Sequence, residues 1–272
     1  WDIGRTFLYR SGNDGELLTR LARIVPVLLT LLLIILVYRW GRELLGARWA
    51  LLPTALTALS PTLLAHGHYV TTDLGAALGA FLALGAFVRY LTGPTRGRLV
   101  AAGIAFGVAQ LLKFSLFMLV PYFGFLALAW WAADAVRNGG GVRRALARLT
   151  QTAGGVLAVF AIGYALVYAA YALFTWNYPP ERQLADTVKI LTDFESSRWV
   201  VPYLTPLIGN PVTRPFAEYL LGLSMVFVRA SGGNTGYLLG TVTNAGWCFY
   251  FPLVFLMKEP LPSLFVLLSG AF

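Results

Sequence analysis

The chain predicts an all-α fold: a polytopic transmembrane helical bundle. Three observations carry this. The composition is 58% hydrophobic and only 12% charged, with a mean hydropathy of +0.69, whereas a soluble domain carries about 25% charged residues. Apolar runs approaching the roughly 20 residues that cross a bilayer recur along the chain. The basic residues also gather between alternate runs. The connectors 39–48, 89–98 and 134–148 hold ten arginines against Glu43 and Asp134, which is +8 of the net +9. This bias marks cytoplasmic loops. It is not the continuous basic face that nucleic-acid binding needs, so that class is set aside.

The elements follow in order, as one membrane domain over residues 1–272. Residues 1–23, polar and aromatic, close an outer loop. Six membrane helices are expected over 24–174. The first, 24–38, is about 22 Å long at 1.5 Å per residue, short of the hydrocarbon thickness unless its flanks extend it. Pro26 sits in its first turn, where a missing N–H matters least. The next spans are 49–64, with Pro53 and Pro61 as tolerated membrane prolines, then 74–90 and 99–112. A tight outer turn at Lys113 leads into 116–133, anchored by Trp130 and Trp131 at the interface, and 152–174 follows. Gly139–Gly141 reads as a cytoplasmic turn without phosphate-loop context.

Residues 175–258 read as an extracytoplasmic loop with nearly balanced charge and many prolines. Its apolar pieces at 216–228 and 247–257 are too short to span and suit an interfacial or re-entrant path. Residues 260–272 begin another helix. The single cysteine, Cys248, excludes an internal disulfide and a cysteine-based metal site. Both ends lie within ongoing sequence patterns, so a fragment of a longer protein is expected.

Asp73 is the leading candidate for chemistry. It is the only carboxylate between Glu43 and Asp134 and stands at the lip of a membrane helix, where ionisable groups are costly and tend to mark function. The simpler role is a helix N-terminus, since Thr71, Thr72 and Asp73 all suit one. The functional role is a base, a metal ligand or an acceptor for sugar hydroxyls. His66 and His68 precede it by seven and five residues, and with Asp73 they offer oxygen and nitrogen ligands to a divalent metal ion, the one cofactor the chain suggests. Lys113 is either a snorkelling lysine or a point charge for a lipid phosphate, and Lys258 is a second phosphate candidate. All three lysines, Lys189 included, fall on the expected outer side. The outer segment is rich in aromatics, among them Tyr237 and Trp247. They suit an interface belt or sugar stacking.

Several blocks resemble the dolichyl-phosphate-mannose–protein mannosyltransferase family and its bacterial phospholipid-carrier-dependent relatives. They are the octapeptide Phe-Leu-Tyr-Arg-Ser-Gly-Asn-Asp at 7–14, the stretch from Leu63 through His66, His68 and Asp73, and Leu-Leu-Lys-Phe-Ser at 111–115. Downstream come Gly-Tyr-Leu-Leu-Gly at 236–240, Gly-Trp-Cys-Phe-Tyr-Phe-Pro at 246–252 and Lys-Glu-Pro-Leu-Pro at 258–262. They fall in the family's order from end to end.

The resemblance implies the C-type glycosyltransferase (GT-C) fold with its active face outside the cytoplasm, in the plasma (inner) membrane. It implies a mannose-like sugar moved from a polyprenyl-phosphate carrier to an acceptor, expected to be protein. Asp73 matches the family's second acidic position, with Lys113, His66, His68, Lys258, Trp247 and Tyr237 as substrate-binding candidates and His66 with Asp73 as the metal pair. The family's hallmark acidic motif would fall before Trp1. This sequence departs from the pattern at Cys248 and Phe249, at Glu259 where threonine is usual, and at Asn234-Thr235. The competing class is a transporter or flippase for lipid-linked glycans. Such proteins place polar residues near mid-membrane, and no mid-span ionisable residue is found here.

Overall fold

Prolines and glycines decide where the helices of this chain break and how closely they pack. The computed structural model describes residues 2–139, 141–193, 195–231 and 235–270. Trp1, Asn234 and Phe272 fall outside them, as does Gly140 at the centre of the expected glycine turn. The chain forms two compact units: residues 1–81 with 248–272, and residues 82–247.

The first unit opens with α1 (Asp2–Tyr9) and α2 (Gly15–Leu45). The Asp14 side chain caps α2 by accepting from Leu17 N at 2.9 Å. Its 31 residues run about 46 Å, so the span expected at 24–38 is extended on both sides and the shortfall disappears. Pro26 is buried inside α2, and the Thr30 hydroxyl donates to Pro26 O at 2.8 Å.

The span expected at 49–64 is not one helix. It is α3 (Leu51–Ala58) and α4 (Pro61–His66), separated at Leu59 and Ser60. Pro61 is the cause. A residue before proline is pushed out of the helical region, and Ser60 has ψ 120°. Its side chain then caps α4, and Pro61 takes the first helical position, where its missing N–H costs nothing. Gly41 of α2 allows α3 close; a Cβ there would lie 3.3 Å from Ala50 Cβ.

The helix α5 (Asp73–Thr92) begins in this unit and continues into the second. At the far end of the sequence, α12 (Tyr250–Lys258) and α13 (Leu261–Ser269) meet at a 114° bend. Pro260 forces it in the same way, holding Glu259 at ψ 136°.

The second unit contains the rest of α5, then α6 (Arg96–Leu112), a 3-10 turn (Phe114–Met118), α7 (Leu119–Asn138) and α8 (Gly141–Thr175). Their shared core includes Phe87, Phe106, Phe123, Val156 and Val159. The rings of Phe87 and Phe123 stack at 4.0 Å. The helices α6 and α8 touch backbone to backbone. A Cβ on Gly103 would lie 2.6 Å from Ile162, and one on Gly107 would lie 2.6 Å from Gly163 O. Small residues spaced four apart are how membrane helices approach this closely. α6 is a single helix as expected, but its 17 residues give only about 25 Å.

α8 starts at Gly141, so Arg143, Arg144 and Arg148 ride on a helix rather than a connector. Arg148 pairs with Asp134 at 2.8 Å, and the Trp131 indole donates to Ala145 O at 2.8 Å. Both contacts fasten α7 to α8. Four described helical stretches are long and apolar enough to cross a membrane: Gly15–Leu45, Asp73–Thr92, Phe114–Asn138 and Gly141–Thr175.

The stretch read as a loop after 174 is mostly helical. It holds α9 (Pro180–Thr192), a second 3-10 turn (Glu195–Val200), α10 (Val201–Ile208) and α11 (Arg214–Ser231). The apolar piece at 216–228 is the body of α11 and packs on α8 within this unit. A buried polar network holds these helices together. Gln183 is fully buried; its amide donates to Glu218 at 2.9 Å and its oxygen accepts from Arg214 at 3.1 Å. Arg214 also donates to the carbonyls of Thr175 and Tyr178. Both polar ends of the buried Gln183 amide are thus partnered, which low-dielectric surroundings demand.

The unit closes with the hairpin β1 (Gly236–Leu238) and β2 (Thr241–Thr243), pairing Tyr237 with Val242. Its two turn residues, Leu239 and Gly240, both have positive φ, 48° and 88°, as tight hairpins require.

Candidate active site

The site is built on the break between α4 and α5. Pro61 ends one helix path and starts α4, which terminates at His66; residues 67–72 then cross to α5, whose first residue is Asp73. A carboxylate in a first helical turn is favoured by the positive end of the helix dipole, so the local and functional roles of Asp73 are compatible. Gly67 is required at the crossing because a Cβ there would meet Leu63 O and the Thr30 hydroxyl at 2.9 Å.

His66 Nδ1 lies 3.4 Å from Asp73 Oδ2. Nδ1, shielded from solvent, has no hydrogen-bond partner among the described residues. The side chains as wholes remain about half exposed, 45% and 44%.

Both residues line a cleft of about 480 Å³ within the first unit. This falls within the roughly 300–1,000 Å³ typical of small-molecule sites. Leu56, Leu63, Leu74 and Leu267 form its apolar walls, and Ser60, Thr62, Glu259 and Ser263 join His66 and Asp73 as polar lining.

The remaining sequence candidates divide between the units. His68 stands apart from the Asp73 pair: its Nδ1 is 3.2 Å from Leu64 O and its ring lies 4.4 Å from that of Tyr69. Lys258 is exposed at the end of α12, one residue before Glu259. Lys113, Tyr237 and Trp247 belong to the second unit. Lys113 is the junction residue, ending α6 and starting the 3-10 turn. Tyr237 is exposed on β1, and Trp247 packs beside Gly236.

That 3-10 turn is clamped from two sides. The Gln110 amide donates to Leu116 O at 2.9 Å, and the Tyr219 hydroxyl donates to Gln110 Oε1 at 3.0 Å. Both side chains are almost fully buried, at 2% and 1% exposure. Gly222 of α11 presses on the Phe114 ring with no room for a Cβ. Phe114 in turn lines an apolar groove of about 640 Å³ with Leu191, Met225 and Val226, bordered by Ser196 and Arg229.

As for a metal, His66 and Asp73 are the only pair of the proposed ligands brought together. No group of three or more His, Cys, Asp or Glu side chains suited to an ion occurs among the described residues. Sequence reasoning passed over Glu259, Gln110 and Tyr219. Glu259 was visible only as a departure from a family block. Gln110 was visible only as a polar residue within an apolar run.

A polytopic helical membrane protein with a polar cleft at the mouth of a helix is the class that this fold and site define. Within that class, a family model described as dolichyl-phosphate-mannose-protein mannosyltransferase matches residues 17–141. The matched stretch, which carries His66, Asp73 and Lys113, covers less than half of the chain and is similar to this family of C-type membrane glycosyltransferases. The family points to a lipid-linked sugar donor. The blocks at 236–262 lie outside the matched stretch. No curated protein and no solved structure matches the chain.

Proposed function

We propose that this chain transfers a mannose-like sugar from a polyprenyl-phosphate carrier to a hydroxyl of an acceptor, a protein, at the extracytoplasmic face of the plasma membrane. The observation that carries this reading is the His66–Asp73 pair in its cleft. In the reaction the acceptor oxygen bonds to the anomeric carbon. The carbon–oxygen bond to phosphate breaks, and its electron pair leaves with the lipid phosphate. The acceptor proton passes to a carboxylate.

Asp73 serves this chemistry by accepting a hydroxyl hydrogen bond, held in register by His66. Lys113 supplies a point charge for the phosphate that gains charge as the bond breaks. Three features support that role: the turn that carries Lys113 is clamped by Gln110 and Tyr219, it adjoins an apolar groove of about 640 Å³, and Arg229 borders the same groove. Lys258 is a further phosphate contact, and Tyr237, Trp247 and His68 are sugar or acceptor contacts in this proposal. For a divalent metal ion, His66 Nδ1 and Asp73 Oδ2 would be the protein ligands. It would act as an electrophile towards oxygen, with the rest of its shell drawn from substrate or solvent.

The test is Asp73→Asn in the full-length protein, assayed with polyprenyl-phosphate mannose. Transfer should fall at least about 100-fold, the scale of a lost proton-transfer group, while insertion and accumulation hold. Unchanged turnover would remove Asp73 from the mechanism.

A further inference from the structure

Glu259 plays no part in the reading above, yet its surroundings give it one. Pro260 ends α12 and turns the chain by 114° into α13. At that corner Glu259 lines the same cleft as His66 and Asp73. The residue is half-buried, and among the described residues its carboxylate makes no hydrogen bond or ion pair. Partly desolvating a carboxylate without a partner is costly, and the cost is recovered when a ligand donates to it. The shielded, unpartnered Nδ1 of His66 in the same cleft repeats that unmet demand.

The ligand's chemistry follows from the lining. Ionised carboxylates only accept hydrogen bonds, so the ligand must donate them. His66, Asp73 and Glu259 do not converge as a metal-binding trio; the cleft of about 480 Å³ that they line together suits a ring carrying several hydroxyls. Leu63, Leu74 and Leu267 supply an apolar wall for the ring's C–H face.

We infer that Glu259 is a sugar-binding residue: with Asp73 it accepts hydroxyl hydrogen bonds from the sugar ring of the lipid-linked donor. This rests on the transfer reading above and extends it to a residue where the family pattern carries an uncharged side chain. The charge makes Glu259 a specificity determinant, because a carboxylate rewards hydroxyl donors more strongly than a threonine can.

The experiment compares binding of polyprenyl-phosphate mannose and of bare polyprenyl phosphate to the full-length protein in lipid nanodiscs. Wild type, Glu259→Gln and Glu259→Thr are measured. The affinity gained from the mannose should fall about ten-fold in both variants, as expected for one hydrogen bond to a charged group. Affinity for the bare carrier should stay unchanged, which also reports an intact fold. A full mannose-dependent gain in both variants overturns the role of Glu259 and leaves the Asp73 reading standing. An equal loss for both ligands also overturns it, since that marks a structural effect. No gain from mannose in wild type would bring down the transfer reading and this inference together.

Discussion

Asp73 and His66 stand seven residues apart, and a six-residue crossing brings their side chains within 3.4 Å. The carboxylate was legible in the sequence because charge is rare in apolar surroundings. Its partner was legible only as one of two histidines. The structure separates them: His66 faces Asp73, while His68 lies against Tyr69 and the Leu64 carbonyl. Glu259 was not legible as a site residue, because nothing local links it to Asp73 and only the Pro260 corner puts it in the cleft. At this scale Lys113→Met should raise the KM for the lipid-phosphate donor about ten-fold with a smaller change in kcat, as loss of one charge-assisted contact predicts. Lys113→Arg should restore only part of the loss, since a planar fork is not a compact ammonium. Initial rates across donor concentration check both, and an unmoved KM in Lys113→Met would strip the lysine of its role.

At the scale of elements, the helices were easier to foresee than their breaks and contacts. Apolar runs announced α2, α5, α7 and α8. The split of 49–64 into α3 and α4 was written in Pro61, but proline inside a membrane run has two outcomes, a kinked helix or a break; here the Ser60 cap on α4 accompanies the break. The contact between α6 and α8 turns on Gly103, Gly107 and Gly163. Gly163→Leu would drive a side chain into Phe106 and should destabilise the second unit by about 1–3 kcal/mol, the usual cost of overpacking. Thermal unfolding in detergent reads it, and an unchanged midpoint would show that the helices can part without cost.

The junction of α8 and α9 carries a titrating contact. The Tyr178 hydroxyl donates to Asp186 at 2.6 Å, and that hydrogen bond raises the phenol from its usual 10.0 to about 12. A raised phenol favours the protonated form in the fold. The contact therefore contributes fully below pH 10 and is lost as pH rises through about 12. Tyr178→Phe should remove that alkaline step from a tyrosinate absorbance titration followed alongside proteolysis of the α9 segment. A step that persists in the variant would assign it elsewhere.

For the molecule as a whole, the distribution of arginine sets the predicted sidedness. In a Cys248→Ser background, needed because Cys248 is exposed, a cysteine at Asn138 should resist an impermeant thiol reagent in intact cells and one at Asp193 should react. The opposite pattern would invert the topology and move the proposed chemistry to the cytoplasm.

Composition and charge placement alone determined the class of this protein, a mainly helical multi-pass membrane chain, because solvent preference is additive along a sequence and needs no partner. The cleft belongs to the other category. Its lining comes from α3, α4, α5 and a corner near the far end of the chain; the pairing of His66 with Asp73 depends on the crossing from α4 to α5, and the recruitment of Glu259 and the Gln110–Tyr219 clamp depend on contacts between distant segments. Side-chain chemistry can be read one residue at a time, but proximity exists only after the chain has folded.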